Sequence, residues 1–176
     1  ISTNLELLSA ARSAHPDAVI LYKPHPDVEA GLRKGSISDD DLTALCDVVL
    51  RKTDPITAIE AVDEVWTMTS LLGFEALLRD KKVTCLGTPF YAGWGLTTDL
   101  GAVAARRSLQ ISLECLVHAT LIDYPRYFDP ISKFACPVEV VLERLATDTL
   151  PKPGPFNRIT AKLQGVFAGY AHIWRR

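Results

Sequence analysis

The sequence predicts an α/β fold in which a parallel sheet carries helices on both faces. Three observations predict it. Helix-type and strand-type segments alternate from Thr3 to Gly87. The strand-type segments, such as AVILYK and KVTCLG, are short contiguous apolar runs, as strands covered on both faces require. The helix-type segments open on side chains that cap helices.

Thr3 and Glu6 form a T-x-x-E capping box, and Leu5, Leu8 and Ala11 follow at helical spacing, so residues 3–14 are a helix. AVILYK (18–23) is a strand. Ser38 and Asp41 open a short helix in SDDDLTALCDV, and VVLR (48–51) is a second short strand. Asp54 as cap and Pro55 at the first helical position start the helix PITAIEAV. EVWTM (64–68) is a strand, SLLGFEALLRD is a helix capped by Ser70, and KVTCLG (82–87) is a strand. After Gly87 the pattern changes: TPFYAGWGLTTDLGAVAARR has no period and holds Gly93, Gly95 and Gly101. Loops of this length inside a compact domain usually serve function. Ser112 caps a helix over 112–122, DYPRYFDP is an aromatic and proline turn, and PVEVVLERLA (137–146) is a helix. The domain thus covers 1–150. PKPGP (151–155) is a linker, and 156–176 is an amphipathic helix with Ile159, Leu163, Val166 and Tyr170 on one side.

Bulk properties agree with one domain plus a short appendage: 176 residues, 48% hydrophobic, 23% charged, net charge -2. No basic excess suggests nucleic acid, and no acidic tail suggests a basic partner. No apolar run is long enough to span a bilayer. No signal peptide is visible; it is the cysteines, which read as reduced, that suit a cytoplasmic protein. The chain opens on Ile1 rather than Met, which reads as a trimmed or partial chain. Cys46, Cys85, Cys115 and Cys136 show no C-x-x-C spacing and read as reduced, buried, small hydrophobes, with no zinc site.

In parallel α/β sheets ligands sit at the carboxyl ends of the strands, and three segments lie there. In Lys23-Pro24-His25-Pro26 the prolines hold the chain extended, so Lys23 and His25 point the same way, as a phosphate or carboxylate needs. The same residues also suit a proline-rich turn with a surface lysine and a hydrogen-bonded histidine. In Thr67-Met68-Thr69-Ser70, the Ser70 cap and the free N–H groups behind it suit an anion, and Thr69 adds a hydroxyl. Plain N-capping is the other reading. Gly73, in a helix turn where Ala is more stable by about 1 kcal/mol, suits close approach of a ligand or another backbone. Glu75 suits a ribose diol, or simply favourable charge near the helix start. In GTPFYAGWGLTTD, Tyr91 and Trp94 can cover a ring or close a core. Arg106 and Arg107 suit a second anionic group or solvent. His15, His118 and His172 read as structural or surface residues. The sum is a phosphate-type site of Lys23, His25, Thr69 and Ser70, compatible with a nucleotide sugar. G-x-G-x-x-G and G-K-[ST] are absent, and no carboxylate pair suited to glycosyl chemistry stands out.

YKPHPD, TSLLGFEALLRDKKVTCLGTPFYAGWGLT, the pair RR and SLECLVHATLIDYPRYFDP together resemble the capsule polysaccharide biosynthesis and export proteins of the KpsC type, over roughly residues 18–130. Those are retaining β-Kdo glycosyltransferases of Gram-negative bacteria. The resemblance implies a three-layer Rossmann-like sheet, the donor-binding half of a GT-B-type enzyme with two facing halves. It implies CMP-Kdo as donor, with His25, Thr69 and Ser70 on the cytidylate phosphate and Glu75 on the ribose. It implies no metal and no other cofactor. The acceptor half, with the catalytic carboxylates, has no counterpart here, so the fragment would bind donor without transferring sugar. Implied partners are a glycolipid or oligosaccharide acceptor reached through that half, and other capsule assembly proteins at the inner membrane. The 156–176 helix would pack toward the missing half. Two alternatives remain open: a non-enzymatic component of capsule export, and half of a nucleotide-sugar epimerase.

Overall fold

The computed structural model describes residues 3–151. They divide into two compact units, the first ending at Val117 and the second starting at His118. The 151–155 linker beyond Pro151, the 156–176 helix and His172 lie outside the described residues.

In the first unit, α1 (Asn4–Ala14) starts at the expected capping box. Thr3 Oγ1 accepts from the Glu6 amide at 3.2 Å, and Glu6 Oε2 accepts from the Thr3 amide at 3.2 Å. Next come β1 (Leu21–Tyr22), α2 (Pro26–Glu29), α3 (Asp39–Leu45) and β2 (Val48–Val49). α4 (Pro55–Glu60), β3 (Glu64–Thr67), α5 (Leu71–Leu77), β4 (Lys82–Cys85), β5 (Thr98–Asp99) and α6 (Leu113–His118) follow. Asp54 caps α4 by accepting from the Thr57 amide at 3.0 Å. The pairing is parallel throughout, as the alternation predicts. β1 pairs with β2, Leu21 opposite Val48. β3, β4 and β5 form a three-stranded ladder in that order, with Val65 opposite Val83 and Cys85 opposite Asp99.

Two differences from the sequence reading concern the first ladder. AVILYK is not covered throughout: Val19 is 74% exposed, and only Leu21 and Tyr22 enter the ladder. The Asp47 carboxylate takes the Ile20 amide at 2.8 Å, and Arg12 holds Asp47 at 2.6 Å while donating to the Ala18 carbonyl at 2.8 Å. The approach to the strand is therefore tied by side chains as well as by main-chain bonds, the Ile20 carbonyl accepting from the Asp47 amide at 2.9 Å and the Val48 amide at 3.3 Å. The chain after Tyr22 also turns at once into the single turn α2, with Pro26 at its first position.

Two apolar clusters form. The larger holds Ile59, Val65, Phe74, Ala76, Leu77, Val83, Cys85, Tyr91, Ala92 and Leu116. It joins β3 and β4 to the inner face of α5 and to the loop after β4. Each large side chain fully buried there contributes about 1.5–3 kcal/mol. The smaller holds Leu8, Leu42 and Cys46 between α1 and α3.

The second unit contains a π-helical turn (Ala119–Asp123), β6 (Tyr127–Asp129), β7 (Phe134–Cys136) and α7 (Val138–Ala146). The expected aromatic turn is the first strand of an antiparallel hairpin, Phe128 opposite Ala135. Asp129, 2% exposed, organises it. Its carboxylate accepts from the Ile131 amide at 3.1 Å, the Ser132 amide at 3.2 Å and Arg144 Nη2 at 3.2 Å. The Arg144 guanidinium, ahead of those amides, holds this carboxyl well below the usual carboxylate range.

Cys46 and Cys85 are buried thiols as expected, but Cys115 is exposed and Cys136 only half-buried. Burial pushes the Cys85 thiol up to about 11, which keeps it protonated and inert. No helix of the described residues is long and apolar enough to cross a membrane.

Candidate functional site

The site is built on two strand exits. From β1 the chain passes through half-buried Lys23 and buried Pro24 to exposed His25. His25 is extended (φ -65°, ψ 139°) and caps α2. Its Nδ1 accepts from the Asp27 amide at 3.1 Å. A neutral imidazole that accepts at Nδ1 carries its proton at Nε2, so the ring keeps one free N–H donor. Lys23 is near enough for its charge to be felt at Asp54. That carboxyl is held below its ordinary range by the Thr57 amide first, and its lesser causes include the Lys23 charge.

From β3 the chain passes through buried Thr67 to exposed Thr69 and Ser70. Ser70 caps α5: its Oγ accepts from the Leu72 amide at 3.2 Å, and its own amide donates to Thr67 Oγ1 at 3.2 Å. Glu75 is half-buried, and its carbonyl accepts from Arg79 at 2.9 Å.

The loop after β4 folds under this exit. Of the two roles open to Tyr91, covering a ligand ring or closing a core, its 0% exposure fits the core. Its hydroxyl donates to the Ser70 carbonyl, and its ring stacks on Phe74 at 6.3 Å and meets Phe90 edge-on at 5.2 Å. Gly73 owes its missing side chain to that ring. A Cβ there would stand 2.3 Å from the Tyr91 hydroxyl oxygen, so the close approach it permits is of a core side chain. Gly87 does the same for the strand exit, since its Cβ would meet the Met68 carbonyl oxygen at 2.7 Å and Thr69 Cγ2 at 2.8 Å. Trp94 donates its indole N–H to the Phe90 carbonyl at 2.8 Å and has Arg107 5.8 Å from its ring centre. Arg107 is spent on structure, donating to the Pro89 carbonyl at 2.6 Å and the Ala92 carbonyl at 2.8 Å. Arg106 stays exposed.

The structure thus gathers Thr69, Ser70, Gly73 and Tyr91 around the start of α5, and sets Lys23 and His25 at the end of β1. No hydrogen bond or ion pair joins the two groups among the described residues. Sequence reasoning missed Thr67, Asp99 and the structural use of Arg107. Asp99 accepts from the Gly93 amide at 2.8 Å and the Thr97 hydroxyl at 2.7 Å, which shapes the glycine-rich loop. A Thr-Thr-Asp run beside glycines is the signal that could have found it. His15 and His118 have partners after all, Glu64 at 3.5 Å and Asp123 at 3.1 Å.

Parallel ladders, capped helix starts at their carboxyl ends and a loop locked beneath one of them define an α/β protein with a polar strand-end site. The chain belongs to the capsule polysaccharide biosynthesis protein family, whose model matches residues 1–127. It is 50% identical over 145 residues to the capsule polysaccharide modification protein LipA of Neisseria meningitidis serogroup A, covering 82% of this chain and 20% of that protein. It is 44% identical over 125 residues to the lipopolysaccharide-processing protein LpsZ of Rhizobium meliloti, covering 71% of this chain and 28% of LpsZ. Among solved structures it resembles a Thermosulfurimonas dismutans KpsC β-Kdo 2,7 transferase, with TM-score 0.74 and 41% identity over 85% of this chain and 47% of that one. A KpsC β-Kdo 2,4 transferase of the same organism gives TM-score 0.68 and 35% identity over 80% of this chain and 43% of that one. The chain therefore spans about a fifth of LipA and less than half of either solved transferase chain.

Proposed function

We propose that this chain is the donor-binding part of a GT-B-type glycosyltransferase that adds β-Kdo in capsule polysaccharide biosynthesis, with CMP-Kdo as donor. The observation that carries the reading is the likeness to two solved Kdo transferases at 41% and 35% identity. The site chemistry supports it. The free N–H of His25 and the ammonium of Lys23 suit the cytidylate phosphate, and the Thr69 and Ser70 hydroxyls add neutral donors. Donors already fixed in place stabilise a leaving phosphate as charge grows on it, without reorganisation at the moment of reaction. His25 is held by its bond to the Asp27 amide, and Ser70 by Tyr91 beneath it. Glu75 takes the ribose hydroxyls. Gly73 and Tyr91 contribute by shape, holding the start of α5 where Thr69 and Ser70 face outward.

Sugar transfer needs the acceptor half and its carboxylates, so this segment binds donor and the whole protein reacts. The acceptor is a glycolipid or oligosaccharide, met by the enzyme at the inner face of the inner membrane. The test is calorimetric titration of the full-length protein with CMP, UDP and NAD. CMP is expected to bind and the other two are not. His25→Ala should weaken CMP about tenfold or more, the scale of losing one hydrogen bond to a charged group. Absence of CMP binding at millimolar concentration refutes the assignment.

A further inference from the structure

We propose that Phe90 is the aromatic platform of the donor site, its ring stacking against the cytosine base of the donor. This rests on the donor-binding reading and adds to it a residue that holds the base. Tyr91 and Trp94 are the aromatics of this loop that suit a ligand ring by sequence, and the structure spends both on packing. Tyr91 has 0% exposure. Trp94 gives its indole N–H to the Phe90 carbonyl at 2.8 Å, and Arg107 stands 5.8 Å from its ring centre. In the run from Pro89 to Ala92, Pro89, Tyr91 and Ala92 are buried, while Phe90 is 39% exposed.

A single exposed apolar ring is ordinary on a protein surface. Phe90 differs in how firmly it is held. Arg107 donates to the carbonyls on both sides of it, Pro89 at 2.6 Å and Ala92 at 2.8 Å, and Trp94 takes its own carbonyl. Its ring packs on Phe74 with centres 5.1 Å apart and meets Tyr91 edge-on at 5.2 Å, separations at which aromatic pairs attract. The most distinctive segment of the sequence, from Pro89 through Trp94 to Arg107, thus converges on fixing one exposed ring. A ring fixed in advance loses little freedom when a ligand settles on it, so more of the contact appears as affinity.

The position suits a base. Helical side chains lean toward the N-terminus of their helix, so Phe74 covers the turn that opens at Ser70, and Phe90 packs on Phe74. Tyr91, edge-on to Phe90, bonds the Ser70 carbonyl itself. In the donor-binding reading Thr69 and Ser70 meet the phosphate, and Glu75, next to Phe74 in the chain, takes the ribose. The base hangs from that ribose, whereas the transferred sugar lies on the far side of the phosphate. The nucleoside is therefore the part of the donor that the ring of Phe90 serves, and a flat base has a π-face for it.

The experiment titrates the full-length protein with CMP and with ribose 5-phosphate, which keeps the phosphate and ribose and lacks the base. Ligand-observed NMR reads both. Phe90→Ala should weaken CMP by about 5- to 150-fold, the scale of losing one base–aromatic stack, and leave ribose 5-phosphate unchanged. Phe90→Leu should behave like Phe90→Ala, and Phe90→Tyr should keep the CMP affinity of the parent. Because Phe90→Ala can loosen the start of α5, a second readout uses the unsubstituted protein, deuterated except at phenylalanine. Saturating its ring protons should transfer to cytosine H5 and H6, and Phe90→Leu should abolish the transfer. Unchanged CMP affinity in Phe90→Ala, or no transfer to cytosine, overturns the platform while CMP binding by the parent keeps the donor reading standing. An equal loss of ribose 5-phosphate and CMP overturns it too, since Phe90 would then only support Ser70. If the parent binds no CMP, the donor reading falls and the platform falls with it.

Discussion

Gly73 and Tyr91 show what a single side chain can decide. Gly73 lies inside α5, where Ala would add about 1 kcal/mol of helix stability. Yet the added methyl would meet the Tyr91 hydroxyl oxygen at 2.3 Å and Thr67 Cγ2 at 3.0 Å. Overpacking a filled site costs about 1–3 kcal/mol, so the steric effect wins. Gly73→Ala is expected to destabilise the protein in urea unfolding. Adding Tyr91→Phe should recover part of the loss, since it removes the oxygen and leaves the ring. If Gly73→Ala instead raises the urea midpoint, the ring is not packed there. The same pair marks what the sequence could convey at this scale. Ser70, Asp54 and Thr3 were legible as caps because a cap is set by neighbours three or fewer positions away. The burial of Tyr91 depends on a residue 18 positions earlier, and no local signal encodes that. Its aromatic character suits a lid and a core equally.

Among elements, the loop between β4 and α6 (Leu113–His118) carries the sharpest contrast. Arg106 and Arg107 are adjacent and chemically alike, but Arg107 is bound to two carbonyls and lies against Trp94 while Arg106 is exposed. Arg107→Ala should cost about 1–3 kcal/mol, because partly buried carbonyls lose their donor. Arg106→Ala should stay within about 0.5 kcal/mol of the parent. Chemical unfolding of the two variants side by side checks this, and equal effects would contradict the assigned roles. The β6–β7 hairpin supplies a pH dependence. Asp129 has its folded pKa depressed, chiefly by Arg144, below the ordinary value near 3.9. A depressed carboxyl adds stability above its unfolded pKa and loses it as pH falls toward the folded one. The stability difference between the parent and Asp129→Asn should therefore be constant above about pH 5 and shrink below about pH 4. Unfolding followed between pH 2 and 7 reads it, and a pH-independent difference would show that the ion pair is not the source. Segments of six residues or more with caps, such as α1, α4 and α5, were foreseeable. α2, β5, β6 and β7 are two to four residues long. Side-chain ties such as those of Asp129 and Asp99 help define the loops beside them, and periodicity does not register pieces that short.

Across the first unit, the two apolar clusters are unequal. One joins ten buried residues around β3, β4 and α5, and the other only Leu8, Leu42 and Cys46. Opening free energy follows buried apolar contact, so the segment from α1 to β2 should form the less stable part of the unit. The family identity and the parallel arrangement were both visible in the motifs. This imbalance was not, because it reflects how much of a shared core the segment holds rather than any pattern inside it. Amide exchange on the 176-residue chain should show residues of α1, α3 and the β1–β2 pair opening before those of β4 and α5. Ile59→Ala, at a site 1% exposed in the larger cluster, should lower global stability by about 2–5 kcal/mol. By the same logic it should leave the early-opening amides of α1 almost unchanged, because their exchange already bypasses the larger core. If α1 and β4 amides instead accelerate together in that variant, the unit unfolds as one cooperative body and the division of its core has no energetic meaning.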